Sequence, residues 1–262
     1  MDLSELVAWM RRLSIKADLD VPDGYFYDPR TRRYHNAQTG QFVPFRVIYS
    51  LLQTNEAASA EVMLNLTTAL QSGDLPKGLW LAAMQRQIRA LHVQNAALGA
   101  GGLNQLQGSD YYRIDQALRA DLDRLDRFGS QVLAGQQSLA QIQNRINMYV
   151  GNARVQFFKA RRPPLVEPHE MAIERRRLQP AEHCSWCIHL ADLGWQPYGV
   201  LPVPGESSAT WQGDQCLTNC QCEMQQMVIT RVEAILFLGP KVTIERSIQL
   251  PEKTHEHTGV TV

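Results

Sequence analysis

The chain has 262 residues, enough for one large domain or two modest ones with a sizeable core. Its 26 Lys and Arg balance its 26 Asp and Glu, which disfavours a globally basic nucleic-acid binder and an acidic tail protein. Hydrophobic residues make up 44%, so wholesale disorder is excluded too.

No apolar run approaches the ~18–20 residues needed to cross a bilayer. Residues 1–20 carry acids and no long apolar stretch, so they are not read as a secretory leader. The expectation is a soluble protein that stays where it is made. Within 1–20, Leu3, Leu6, Val7, Met10 and Leu13 recur at helical spacing, and Pro22-Asp23-Gly24 ends the pattern. Residues 25–46 are aromatic, basic and rich in turn formers. Tyr25, Tyr27, Tyr34 and Phe42 fit a small two-stranded hairpin, or else a packed surface loop.

From 47 to about 160 the period is helical. Ile48, Leu51 and Leu52 begin a run that continues through Val62, Leu66 and Leu70 and stops at Ser72-Gly73. A second helix runs from Leu79 to Leu98, with Trp80, Met84, Ile88 and Leu91 facing a core and the glycines of 99–102 ending it. A third, Tyr112 to Val132, buries Ile114, Leu118, Leu125, Phe128 and Val132. Its Asp121, Asp123, Arg124, Asp126 and Arg127 read as a solvated charged face. A fourth, from about 139 to 161, starts at Ser138 as N-cap and carries Leu139, Ile142, Ile146, Val150 and Phe157 as its stripe. Four such helices with short loops suggest an antiparallel bundle.

Arg161-Arg162-Pro163-Pro164 stops the helices and marks a boundary. A short helical piece around Glu170–Leu178 is expected next, then the cysteine region. Two candidate strands follow, Met227–Leu238 and Val242–Leu250, the first of which could equally be a short helix. The organisation reads as 1–46, N-terminal helix and aromatic, basic hairpin; 47–162, helical domain; 163–228, cysteine-rich zinc module; 229–262, C-terminal strands and tail. The fold class is mainly α: a helical bundle, then a small, zinc-stapled, loop-rich module with short β-strands and an extended C-terminal tail.

Charge is unevenly placed despite the neutral total. Residues 154–177 hold Arg154, Lys159, Arg161, Arg162, Arg175, Arg176 and Arg177 against Glu167, Glu170 and Glu174. Such a segment is either an ordinary charged surface or a contact with an acidic partner or DNA. Of the 26 basic residues 21 are Arg, whose planar fork suits carboxylates and phosphates better than Lys does.

All five cysteines lie between 184 and 222, as Cys184-x2-Cys187, 28 residues, then Cys216-x3-Cys220-x-Cys222. A C-x2-C pair places two sulfurs within reach of one tetrahedral ion, and a second group downstream completes four ligands. The intervening Gly- and Pro-rich loop has little core of its own, so a bound metal would supply folding free energy directly. Structural zinc on Cys184, Cys187, Cys220 and Cys222 is expected, with Cys216 as an alternative ligand. His183 and His189 flank the first pair and read first as surface residues, with substitution for a cysteine ligand as the alternative. Disulfides fit poorly with an odd count, redox chemistry lacks a βαβ context, and an iron–sulfur cluster lacks an accompanying cofactor motif. No phosphate loop, H-E-x-x-H or G-x-S-x-G is present, so no enzyme is expected.

Three stretches resemble the tailed-phage minor head proteins, the Mu-type head-morphogenesis family. The late helix matches an S-x-x-Q-I-x-x-R-x-x-x-Y pattern through Ser138, Gln141, Ile142, Arg145 and Tyr149. CSWCIHLADLGWQPYGVLPVPG is similar to the family's cysteine pair and loop. CLTNCQC is similar to its N-C-R-C ending, with Gln221 in the Arg position. The helical stretch from Leu75 to Gly102 also looks like related phage proteins, so the resemblance covers about 75–225. It implies a non-enzymatic virion component made in an infected bacterium's cytoplasm, a minor capsid protein near the portal vertex. Portal, major capsid or neck proteins would be its partners, with packaged DNA in reach of the basic segment and no membrane. The alternatives are a head–tail neck adaptor or connector subunit in a homo-oligomeric ring, and a zinc-containing DNA-binding module. A tail over 240–262 would suit strand donation to a neighbour in a ring.

Overall fold

The computed structural model describes residues 22–161, 168–178, 182–206 and 222–238. The expected N-terminal helix, Arg162, Cys216, Cys220, the strand at Val242–Leu250 and the C-terminal tail lie outside these residues.

The aromatic segment forms the hairpin. Strands β1 (Tyr25–Asp28) and β2 (Arg33–Asn36) pair antiparallel, with Tyr27 opposite Tyr34. Asp28 closes the turn by accepting from the Arg30 amide (2.9 Å) and the Thr31 hydroxyl (3.0 Å). Arg32 takes the left-handed conformation there, at φ 53°. The Tyr34 hydroxyl donates to the Leu98 carbonyl at 2.6 Å and ties the hairpin to the helices.

Helix α1 (Phe45–Gln71) begins three residues before the apolar run at Ile48, because Pro44 supplies a preset φ at its N-cap. It ends at Ser72-Gly73 as expected. Helix α2 (Lys77–Ala100) buries Trp80, Met84, Ile88 and Leu91 completely. Gly101, at φ 98°, is its left-handed C-cap. Gly99 has a different task from the terminator expected of it. It lies inside the helix, where an added Cβ would stand 2.1 Å from the Phe157 carbonyl oxygen.

The single third helix of the sequence reading is two, α3 (Gly108–Leu122) and α4 (Leu125–Leu133). The apolar stripe runs unbroken across exposed Asp123 and Arg124, so periodicity gives no sign of the break. Asp121, expected on the solvated face, is buried. It accepts from the Asn152 amide (2.6 Å) and lies 3.0 Å from His92 Nε2. Helix α5 (Leu139–Ala160) opens with a reciprocal capping box. Ser138 Oγ accepts from the Gln141 amide, and Gln141 Oε1 accepts from the Ser138 amide (2.8 Å). Leu139, expected in its stripe, is 64% exposed, since it precedes the first buried turn at Ile142.

The helices share one apolar core around Trp80, Ile88, Leu125, Phe128, Ile146 and Tyr149. A polar layer crosses it. Glu56 of α1, 2% exposed, accepts from Arg154 of α5 at 2.6–3.1 Å and from Asn95 of α2 at 3.2 Å.

Beyond α5 the chain forms a sheet of order β4-β3-β5, with β3 (Glu170–Arg177), β4 (Gln196–Pro197) and β5 (Glu223–Thr230), all antiparallel. β3 replaces the expected helical piece around Glu170–Leu178. Its buried positions include Glu174 and Arg176, so its inward side carries charge and shows no apolar alternation. Helix α6 (Ser185–Asp192) lies between β3 and β4, and α7 (Arg231–Leu238) follows β5. The segment expected as strand or helix from Met227 is both. It switches at Thr230, whose hydroxyl accepts from the Glu233 amide while Glu233 accepts from the Thr230 amide. A second apolar cluster joins Tyr34, Leu52, Leu98, Phe157 and Phe158 to Leu190, Leu201 and Met224. The core is therefore continuous across the boundary expected at 162/163.

Candidate metal centre and the basic segment

The C-x2-C pair sits at the start of α6. Cys184 is the N-cap, and its Sγ accepts from the Cys187 amide at 3.4 Å. Cys222 arrives from far along the chain, one residue before β5. The pairing of β5 with β3, Glu223 opposite Arg177, brings it to the same place. Cys184, Cys187 and Cys222 are all buried and form one cluster against Leu178 and Trp186. Trp186 packs on the second apolar cluster as well, so the thiols lie against the main body of the fold.

His183 adjoins them, with Nδ1 3.7 Å from Cys222 Sγ. Two ligands of a tetrahedral zinc, one nitrogen and one sulfur, stand about 3.6 Å apart given bonds of roughly 2.05 and 2.3 Å. His189 is exposed, its ring stacked on Trp186 at 5.7 Å. Among the described residues no group of three or more His, Cys, Asp or Glu side chains stands close enough to hold a metal ion. Cys216 and Cys220 are outside those residues. The chemistry of the donor set, buried thiols at a helix start beside an imidazole, fits zinc.

The basic segment is used internally. Arg154 is the bidentate partner of buried Glu56. Lys159 pairs with Glu206 at 2.7 Å. Arg161 is half-buried, stacks on Phe45 (4.4 Å), and donates to the Gln226 side chain (3.0 Å) and the Met224 carbonyl (3.4 Å). Desolvation lowers its pKa. Arg175 lies over Trp195 (4.7 Å) and donates to Gln225 at 2.8 Å. Arg176 is buried and donates to the Pro202 carbonyl. Arg177 is exposed and 3.4 Å from Glu223. The positive excess counted along the sequence is thus spread over the interior, the sheet and its rim, and does not form one patch. The signal missed in sequence was the partners, which lie as far away as Glu56, 98 residues before Arg154.

Glu174 organises the loop after β4. Its Oε1 accepts from the amides of Gly199 (3.0 Å) and Leu201 (3.2 Å), and burial pushes its carboxyl pKa up. The motif residues of the late helix also acquire plain roles. Ser138 and Gln141 are its cap, Ile142 and Tyr149 are core, and Arg145 lies 5.8 Å from the Phe128 ring. Among the described residues no helix is long and apolar enough to cross a membrane. No family model, curated protein or solved structure matches the chain.

Proposed function

We propose that this chain is a non-enzymatic structural protein of a tailed-phage virion, a minor capsid or head-morphogenesis component at or near the portal vertex. In this reading a structural zinc ties α6 to the start of β5. The observation that carries it is the convergence of Cys184, Cys187 and Cys222, all buried, from two distant stretches of chain. Those stretches are two of the three that resemble the head-morphogenesis family. Cys184, Cys187 and Cys222 would supply thiolates. The fourth ligand would be Cys220, with Cys216 or the adjacent His183 as the alternatives. Four protein ligands leave no open position, so the ion would act as a staple whose binding free energy is folding free energy.

A zinc-containing DNA-binding module is the weaker reading, because the basic residues of 154–177 that are described have partners within the fold. A neck adaptor ring differs from a minor capsid protein in neighbours and copy number, which localisation in the particle separates.

The test is metal analysis of the purified full chain together with co-purification on the portal and capsid proteins of the same virus. About one zinc per chain is expected, lost in Cys184→Ser together with the protection of α6 from proteolysis. A metal-free chain that keeps its fold and captures neither protein would overturn the proposal.

A further inference from the structure

A cleft of about 660 Å³ opens between the N-terminal hairpin, the start of α1 and the outer strand β5. Its charged lining is one-sided: Arg32, Arg33, Arg46, Arg161 and Arg177 against a single carboxylate, Glu223, which is engaged by Arg177. Two of these guanidiniums are held in place by rings. Arg33 lies over Phe42 at 5.0 Å and Arg161 over Phe45 at 4.4 Å. Arg46 is exposed, and neither an ion pair nor a hydrogen bond engages its side chain among the described residues. It stands in the first turn of α1, which has no acidic residue and no side-chain cap. The amides of that turn therefore add to the positive potential.

The opposite wall is a strand edge. Glu223, Met224, Gln225, Gln226 and Met227 line the cleft in unbroken succession. Side chains of a strand alternate between faces, so five consecutive lining residues mean that the cleft runs along the backbone edge. That edge has no strand partner among the described residues, since β5 pairs only with β3. Five residues of edge span about 17 Å. Arg161 touches the Met224 carbonyl and marks one end of it.

We propose that this cleft is a docking site for an extended acidic peptide segment of a partner protein, added as a fourth strand along β5 with its carboxylates on Arg33, Arg46 and Arg177. The strand edge supplies main-chain hydrogen bonds and the arginines supply sign, the combination used in strand addition. A nucleic acid would match the charge but has no use for the edge. Its bases would also find Phe42 and Phe45 already covered on one face by guanidiniums. The cleft begins at Glu223, next to Cys222, but its charge and its strand edge do not depend on a metal at the thiol cluster.

The experiment is fluorescence anisotropy of the full chain with a labelled ten-residue peptide of alternating Glu and Val. Three competitors accompany it: the same peptide with its two central Val replaced by Pro, an alternating Lys–Val peptide, and a ten-nucleotide oligo-dT. Saturable binding of the Glu–Val peptide is expected, with loss of binding for the Pro and Lys forms. Arg46→Glu should weaken binding by at least about tenfold, the worth of one charge-assisted contact. Arg46 is exposed and a carboxylate is favoured in a first helical turn, so the variant should keep its fold by circular dichroism. Arg33→Gln is the second variant should it not. Absence of saturable binding overturns the proposal, as does binding indifferent to both substitutions. Equal binding of the Pro form removes the strand, and tighter oligo-dT binding reassigns the cleft to nucleic acid.

Discussion

Replacing Arg154 by Met separates a structural arginine from a partner-contact arginine. An exposed contact residue would lose about 0.5 kcal/mol of stability or less on substitution. Arg154 is instead the bidentate partner of Glu56, at 2.6 and 2.9 Å from Oε2 and 3.1 Å from Oε1. Its side chain is 12% exposed and that of Glu56 is 3% exposed. Removing the guanidinium leaves a buried carboxylate with the Asn95 amide at 3.2 Å as its remaining donor. Breaking such a pair costs about 3–5 kcal/mol, on the order of 10 °C in Tm for a chain of this size. The pH dependence follows from Glu56. Burial pushes its carboxyl up, against the pull of Arg154 and Asn95. A raised folded-state pKa means the contribution is complete below the ordinary carboxylate range and is lost as pH rises through the folded value. Without Arg154 the carboxyl rises further. The deficit of Arg154→Met should therefore be largest near pH 8 and shrink toward about pH 4, where Glu56 is protonated. Urea unfolding across that range measures it. Adding Glu56→Leu should recover most of the loss, since removing both charges of a buried pair is near neutral. A deficit under about 1 kcal/mol, or one that does not change with pH, would refute the assignment of Arg154 to the core.

Other outcomes are open to direct measurement. Gly99→Ala puts a methyl 2.1 Å from the Phe157 carbonyl oxygen and should cost about 2–3 kcal/mol, read as a lower urea midpoint with unchanged slope. Glu174→Gln keeps an acceptor for the Gly199 and Leu201 amides but removes the ionisation that burial disfavours. The variant should be at least as stable as the parent near pH 8, its advantage vanishing by about pH 4; a loss of stability at both ends would show that the charge itself holds the loop. Ser138→Ala deletes the hydroxyl half of the α5 capping box and should cost about 1 kcal/mol, with faster amide exchange confined to the first turn. Chelation of the purified chain should open α6 to proteolysis before the helical core, whereas indifference to chelator would count against a zinc staple.

The helices were legible because their signals are local. Trp80, Met84, Ile88 and Leu91 recur on one face, Ser138 is answered three residues later by Gln141, and Ser72-Gly73 and Gly101 stop their helices as their backbone chemistry requires. The hairpin was legible for the same reason, through turn formers between aromatic residues. β3 was not, because Glu174 and Arg176 occupy buried positions and their partners come from the loop after β4. Asp121 read as solvated because His92 and Asn152, which bury it, are 29 and 31 residues away.

The cysteine site divides along the same line. Spacing alone grouped Cys184 with Cys187, since one helical turn carries both. Only the pairing of β5 with β3 brings Cys222 to them, and it leaves the Cys222 sulfur beside His183, which spacing could not rank. The basic stretch shows the converse. Sequence counts net charge along the chain, but a guanidinium is neutralised by whatever the fold sets within a few ångströms of it. For Arg154 that group is Glu56, 98 residues away, whereas Arg161 is held in place by the ring of Phe45 and, at the edge of β5, by the Met224 carbonyl and the Gln226 side chain, none of them a carboxylate. Periodicity, caps and turns depend on neighbours within about one helical turn and were determined by the sequence alone. Where the charges are spent, and where a cleft of arginines remains, depends on distances that only the tertiary structure sets.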